Sequence, residues 1–515
     1  MSRRIKSVVI LIVSLLFFYA SVYPLFQAMR KSKSPLLQET TLKKLPPELI
    51  ITTVLLGGFR GILVDLLWMR ARKLQEERKY FELVQLSDWI GLLEPYIPEV
   101  WVFNAWNLSY NISVEFPTPT ERWNWVYQGI KLIRDKALKY IPDSPKIYHE
   151  ISWIYYNKVS SSIDEFHGYY KRIWAKIIQD TLGDMKLEEI ASHPSYEELM
   201  DDENVEQIIQ SFKEKDIDIF KDWEKISKDN FSTLPEELRE QLKNPSFRKI
   251  ESYLRAKALR EKFKLEPVAM VELEKKYFPL DWKSGAAHSL YWIEEGKKKT
   301  EMIDMEYKRM VYFSLTHLLE WGRIDLRKVD GEEIMVISPD LSVAPILNKY
   351  YEETFKDLPQ ESLKGVKSSH KSFLRKVIML SYTTNNLSTA HRYWRYLKDK
   401  YPGEVGSLSF SDFISRHFVS ILREGTVTEI TDLLFGILYQ AYWYFAAGEE
   451  ERFVGLESLA RLVYGRSSRE NERFKNLFPT FESLKKAVLQ RALTNFPPPL
   501  ASSLRSRIEK EETQP

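Results

Sequence analysis

Tyr80-Phe-Glu-Leu-Val-Gln-Leu-Ser-Asp-Trp-Ile-Gly-Leu-Leu-Glu-Pro95 is the stretch that decides the fold. Its apolar residues are spaced for a helix, and it closes on a proline, which cannot donate to a further turn. Six residues after Pro95 stands Trp101, followed by Asn104, Ala105 and Leu108 at helical spacing. The phrase then returns. Ala137-Leu-Lys-Tyr-Ile-Pro142 repeats the form of Ile90-Gly-Leu-Leu-Glu-Pro95, and six residues after Pro142 comes Tyr148, followed by Ile151, Ser152 and Tyr155. Pro95 and Pro142 lie 47 residues apart. Recurrence on this scale predicts helical hairpins stacked neighbour on neighbour.

Composition agrees with packed helices. The 515 residues include 14 Trp, 28 Tyr and 27 Phe but only 19 Gly. Lys plus Arg number 75 against 72 Asp plus Glu, a net charge of +3, without the positive excess of a nucleic-acid binder. Cysteine is absent, which excludes disulfides, thiol nucleophiles and cysteine-ligated metals.

Ser7 to Met29 carries no charge and follows Arg3, Arg4 and Lys6. About 20 helical residues cross the hydrocarbon layer of a bilayer, so the run predicts a transmembrane helix. Tyr19-Ala-Ser-Val-Tyr-Pro24 is a poor cleavage site, which favours an uncleaved signal-anchor over a signal peptide. The expectation is a single-pass protein of a bacterial inner membrane. The leading basic residues place the body outside the cytoplasm, although Arg30, Lys31, Lys33, Lys43 and Lys44 come after the span. A second apolar stretch, Leu49 to Met69, contains Arg60 and Asp65 and reads as a buried or interfacial helix; the alternative is a second span.

The chain divides by character into an anchor (1–33), a linker with the apolar capping helix (34–63), hairpins (64–183), a charged helical insert (184–265), further hairpins (266–495) and a flexible tail (496–515). In the second hairpin a helix from Trp101 to Glu115 precedes one from Glu121 to Tyr140, and in the third the return helix covers Phe166 to Leu182. The insert reads as short, largely solvated helices opened by acidic residues. Later hairpins are expected at Trp282–Trp321, Leu374–Tyr401 and Leu433–Tyr464, with a cap at Phe474–Thr494. Arg323 to Ile337 alternates around Asp330-Gly331 and predicts a small β-hairpin.

A large residue, a medium one, a small one and an aromatic at these spacings resemble the first helix of the tetratricopeptide repeat (TPR) superfamily. The best matches are Tyr80–Pro95, Trp101–Tyr110, Ala137–Tyr156 and Ala390–Pro402, about a fifth of the chain. The usual Leu-Gly pair is replaced by Asn104-Ala105 in one unit and Ile151-Ser152 in another, so spacing is kept better than identity. The resemblance implies an all-α α-solenoid, here with an N-terminal transmembrane helix and a β-hairpin insertion. It also implies a concave face that holds a peptide or another protein, and no reaction.

Equivalent positions can be counted in that register. Trp106 and Trp153 lie eleven residues after the closing prolines, and Tyr110 and Asn157 fifteen after, with Lys146, His149 and Glu150 nearby. Rigid aromatics beside an amide and a charge suit peptide capture; the same tryptophans suit inter-helix packing. Asn104, Asn107 and Asn111 form a ladder that either binds hydroxyls or backbone or ties neighbouring loops. Lys171, Arg172 and Lys176 read as a solvated face or an anion contact.

No two-histidine zinc motif, phosphate-binding loop or Gly-x-Ser-x-Gly elbow occurs, so neither metal nor cofactor is expected, nor enzymatic activity. The leading expectation is a membrane-anchored scaffold or adaptor. It would contact lipid through its N-terminal helix, bind a protein or peptide partner in a cell-envelope complex, and leave nucleic acid alone. One alternative is an α-helical envelope enzyme acting on glycans with paired carboxylates. Another is a spacer whose groove is filled by the insert.

Overall fold

The computed structural model describes residues 59–329, 332–357, 360–419, 427–470 and 480–513. Helices α1 (Phe59–Glu76) and α2 (Tyr80–Leu93) pair first. Helix α3 (Pro98–Trp106) runs on through a π-helical turn, Asn107–Ile112, and packs on α4 (Pro119–Lys131), which itself ends in a π turn, Leu132–Ala137. Helix α5 (Pro145–Ile154) likewise continues into a π turn, Tyr155–Ser160, and meets α6 (His167–Leu182). Prolines open α3, α4 and α5 at their first turn, where no amide donor is needed.

The repeated phrase has a structural counterpart. Trp101 Nε1 donates to the Pro95 carbonyl at 2.8 Å, and Tyr148 hydroxyl donates to the Pro142 carbonyl at 3.1 Å. The large residue six positions on therefore ties each first helix to the end of the preceding one.

The insert contains α7 (Leu187–Ala191), α8 (Tyr196–Met200), α9 (Glu203–Lys213), α10 (Trp223–Ile226), α11 (Glu236–Gln241) and α12 (Pro245–Ala258). It is less solvated than its sequence suggests. Fourteen buried residues, among them Phe212, Phe231, Phe247 and Leu254, form a hydrophobic core of its own. It packs on α6 and on the following helix α13 (Pro267–Lys276).

Helices α14 (Gly285–Lys299) and α15 (Asp304–Trp321) come next, with α14 lying against α5. Ser152 Oγ donates to the Ser289 carbonyl at 2.8 Å, and a Cβ on Gly296 would stand 2.5 Å from Tyr148 Cβ. Small residues on α14 thus let the two helices approach closely. Strands β1 (Arg323–Val329) and β2 (Glu332–Ser338) pair antiparallel, from Arg323 opposite Ser338 to Val329 opposite Glu332, as the Asp330-Gly331 signal requires. Asp281 Oδ2 accepts from the Ile324 amide at 2.8 Å and fixes the hairpin to the helices.

Beyond it come α16 (Val343–Asp357), α17 (Gln360–Thr383), α18 (Leu387–Lys400), α19 (Pro402–Val405), α20 (Phe410–Val419), α21 (Val427–Ala446), α22 (Glu450–Glu470), α23 (Phe481–Asn495) and α24 (Pro498–Thr513). Helix α24 corrects the expectation of a flexible tail: Leu500 and Leu504 are fully buried, and Ser503 Oγ donates to the Ala446 carbonyl at 2.7 Å. Apolar residues at a spacing of four gave it a face to bury against α21.

The described residues are therefore mostly helical with one two-stranded sheet among them. One large core runs from Trp101 to Leu504, and a smaller one lies beneath α1 and α2. Among the described residues no helix is long and apolar enough to cross a membrane. The uncharged run Ser7 to Met29 lies outside them.

Candidate partner-binding site

Helices α3 and α5 lie side by side, and Lys146 Nζ reaches Glu99 Oε1 across their first turns at 2.7 Å. Further along, the rings of Trp106 and Tyr110 stack at 5.6 Å with 25° between their planes. Trp106 keeps 41% of its surface exposed, whereas Tyr110 is half-buried. Glu150 of α5 lies near enough for its charge to act on the Tyr110 hydroxyl, is only 8% exposed, and has an Oε1 with no hydrogen-bond partner. Burial pushes its carboxyl up to about 7, against the pull of Lys146. Burial raises the Tyr110 phenol, and the charge on Glu150 raises it further; Trp153 lies against the same hydroxyl. Trp153 packs on Tyr156 at 5.7 Å, and Tyr156 stacks on Phe313 of α15 at 5.3 Å.

The fold thus brings Trp106, Tyr110, Glu150 and Trp153 into one cluster with Lys146 at its edge. His149 and Asn157 lie outside that set of contacts. His149, half-buried, feels Glu306 and Arg309 of α15, and burial holds its imidazole below the usual range. Asn157 falls within the π turn, where its carbonyl accepts from Ser161 Oγ at 2.5 Å.

Sequence spacing did not reveal what lies behind the cluster. Lys158 Nζ sits 4.7 Å from the Tyr110 ring centre and 2.7 Å from Asp164 Oδ2, and both charged groups are buried. Burial raises the Asp164 carboxyl, but bonds from Lys158 and the Phe166 amide outweigh it and hold the group low. Lys171 is also buried, not solvated; burial brings its amine down to about 8. Its Nζ donates to the Ser161 carbonyl and to His167 Nδ1, each at 3.0 Å. Arg172 is exposed and Lys176 pairs with Asp180 at 2.9 Å, as an ordinary helix face would have them. The one sequence signal for this network is a lysine and an aspartate flanking the Ser160-Ser-Ser162 break.

The asparagine ladder has a structural role. Asn104 Nδ2 donates to the Ser87 carbonyl at 3.0 Å, tying α3 to α2, and Asn111 Nδ2 donates to Asn107 Oδ1 at 2.5 Å. Asn104 Oδ1, Asn107 Nδ2 and Ser87 Oγ, all buried without protein partners, line a void of about 10 Å³. That is room for one water, which could satisfy all three. The void adjoins an outer cavity of about 760 Å³ where Phe81, Phe116 and Trp125 meet edge to face and stacked. Among the described residues no cluster of three or more His, Asp or Glu side chains could hold a metal ion.

No protein-family model matches this chain, and no match to it was found among curated proteins or solved structures. The class that stands is a mostly helical protein of many packed helices with a small antiparallel sheet.

Proposed function

We infer that the chain is a membrane-anchored, TPR-like scaffold that holds a peptide or protein partner in a cell-envelope complex. Its hairpins α1–α2, α3–α4, α5–α6, α14–α15, α17–α18 and α21–α22 are the repeat units, and α3 and α5 are first helices of adjacent units. One observation carries the reading: Tyr110, stacked on the partly exposed Trp106, also lies by a buried Glu150 whose carboxylate oxygen lacks a partner. A rigid aromatic platform in one cluster with an unpaired acceptor suits a partner donating an N–H or a cation while burying apolar surface. The glycan-enzyme alternative needs a second carboxylate about 5–10 Å from the first across a cleft. The other carboxylate acting on Tyr110, Asp164, is buried in a pair with Lys158 rather than facing Glu150 across an open cleft, which favours binding.

Affinity purification of the full-length protein from its own membranes in mild detergent tests this. Trp106→Ala should reduce recovery of a stoichiometric partner about tenfold or more, as expected for a central aromatic contact, with an unchanged thermal midpoint. Equal recovery from wild type and variant would remove the site.

A further inference from the structure

Helix α1 buries one face and presents an apolar stripe on the other. Val64, Ala71 and Leu74 point into the small core shared with α2. On the opposite side Ile62, Leu66 and Met69, spaced by four and three residues, are 59%, 53% and 62% exposed. Three large apolar side chains on one line facing outward call for a covering partner. The geometry points to a phospholipid surface as that partner, with α1 lying along the bilayer interface.

Three observations favour lipid. The stripe continues the run Leu49-Ile-Ile-Thr-Thr-Val-Leu-Leu-Gly-Gly58, which carries no charge and leads straight into α1. Residues 59–73 contain Arg60, Arg70, Arg72 and Lys73 against a single acid, Asp65. Arg70 and Arg72 stand on either side of the stripe and Lys73 extends it, so cations meet the phosphate layer while the stripe enters the acyl boundary. Finally, a groove of about 710 Å³ opens alongside, lined by Trp68, Met69, Arg72 and Phe103 with Asp65 and Gln75. The Trp68 ring packs edge-on to Phe103 at 5.1 Å, leaving an aromatic at the level where tryptophan sits in membranes. Helix α1 then holds the first hairpin against the membrane, which sets how the partner-binding cluster on α3 and α5 is presented.

The inference rests on the anchored reading above, and the test separates the two. The chain has no cysteine, so Ile62→Cys, Leu66→Cys, Met69→Cys, Asp65→Cys and Arg72→Cys each give a unique site for a nitroxide label. The full-length variants are placed in nanodiscs of phosphatidylcholine with phosphatidylglycerol, and collision with oxygen is compared with collision with a water-soluble nickel chelate. Labels at 62, 66 and 69 should favour oxygen several-fold over those at 65 and 72. Ready collision with nickel at all five positions overturns the inference. So does protection from both reagents at 62, 66 and 69, which would mean that protein covers the stripe. Carbonate extraction of wild-type membranes runs in parallel: release of the protein defeats the anchor itself, whereas retention with water-exposed labels defeats only the placement of α1.

Discussion

The hairpins from Pro98 to Leu182 and the insert from Leu187 to Ala258 treat charge in opposite ways. The insert keeps an apolar core and leaves pairs such as Lys249–Asp202 at 2.7 Å and Arg248–Glu189 at 2.6 Å at its rim, its buried Arg255 lying where it meets α6. The hairpins take ionisable groups inside. Lys158 and Asp164 are buried as a pair, Lys171 is buried on a carbonyl and a histidine, and Glu150 is buried with one oxygen unpartnered. Burying a charge costs several kcal/mol unless partners offset it, and a hydrophobic replacement is often no worse. Stability therefore does not account for the charged interior of the hairpins. The insert packs its fourteen-residue apolar core with its buried charge confined to the junction with α6.

The sharpest way to break this contrast is to remove one partner on each side. Lys158→Met leaves Asp164 buried without its cation and should cost about 3–5 kcal/mol in denaturant unfolding. The double variant Lys158→Met, Asp164→Leu should recover most of that loss. If Lys158→Met is nearly neutral, the pair is not buried as described.

Acidity offers a second, smaller lever. Burial lifts the Glu150 carboxyl from its ordinary 4.5 to about 7. A raised carboxyl leaves the fold most stable below the unfolded value and weakens it as pH rises towards 7. Glu150→Gln should therefore stabilise the protein relative to wild type at pH 8, by at most about 3–4 kcal/mol, and have little effect at pH 4. The buried histidines run the other way. Burial lowers His288 to about 3 and His370 to about 4, so their contribution is complete above 6.5 and is lost as pH falls towards those values. Thermal midpoints of wild type and Glu150→Gln between pH 4 and 8 would check both signs.

Where the two regions join, Arg255 of α12 is fully buried and donates to the carbonyls of Thr181 at 2.8 Å and Asp180 at 3.1 Å, at the end of α6. Gly183 comes next with φ +58°, and a Cβ there would meet the Arg255 guanidinium at 2.2 Å. Gly183→Ala should cost about 1–2 kcal/mol and expose the junction to limited proteolysis. Smallest of all, Lys249→Ala on the rim of the insert should change stability by less than about 1 kcal/mol.

Much of the hairpin layout could be read before any coordinates. Pro95 and Pro142 marked helix ends because their rings stop a helix, and Asp330-Gly331 marked the sheet because alternating residues flank a turn-forming dipeptide. Counting from those prolines singles out Trp106, Trp153, Tyr110 and Asn157, with Glu150 entering only as a neighbour on the same helix. Three things escaped that counting. The π turns at 107–112 and 155–160 have no sequence signature, yet each adds a residue to a turn and rotates the rest of its helix. Tyr110 and Asn157 both lie within such turns, but as the fourth residue of one and the third of the other, so equal counting from the prolines does not give them equal positions. The insert looked solvated because its acidic residues drown out the periodic Ile and Phe that form its core. The burial of Lys158, Asp164 and Lys171 depends on α15 and the 160–164 break folding over them, which no local pattern encodes.

The central claim is that the Trp106 face meets a partner. The most direct measurement places a photocrosslinking phenylalanine analogue at Trp106, and separately at Lys249 on the insert, in full-length protein in its native membranes. The account predicts a discrete adduct from position 106 and none from 249. The absence of an adduct at 106, or the same adducts from both positions, would contradict it.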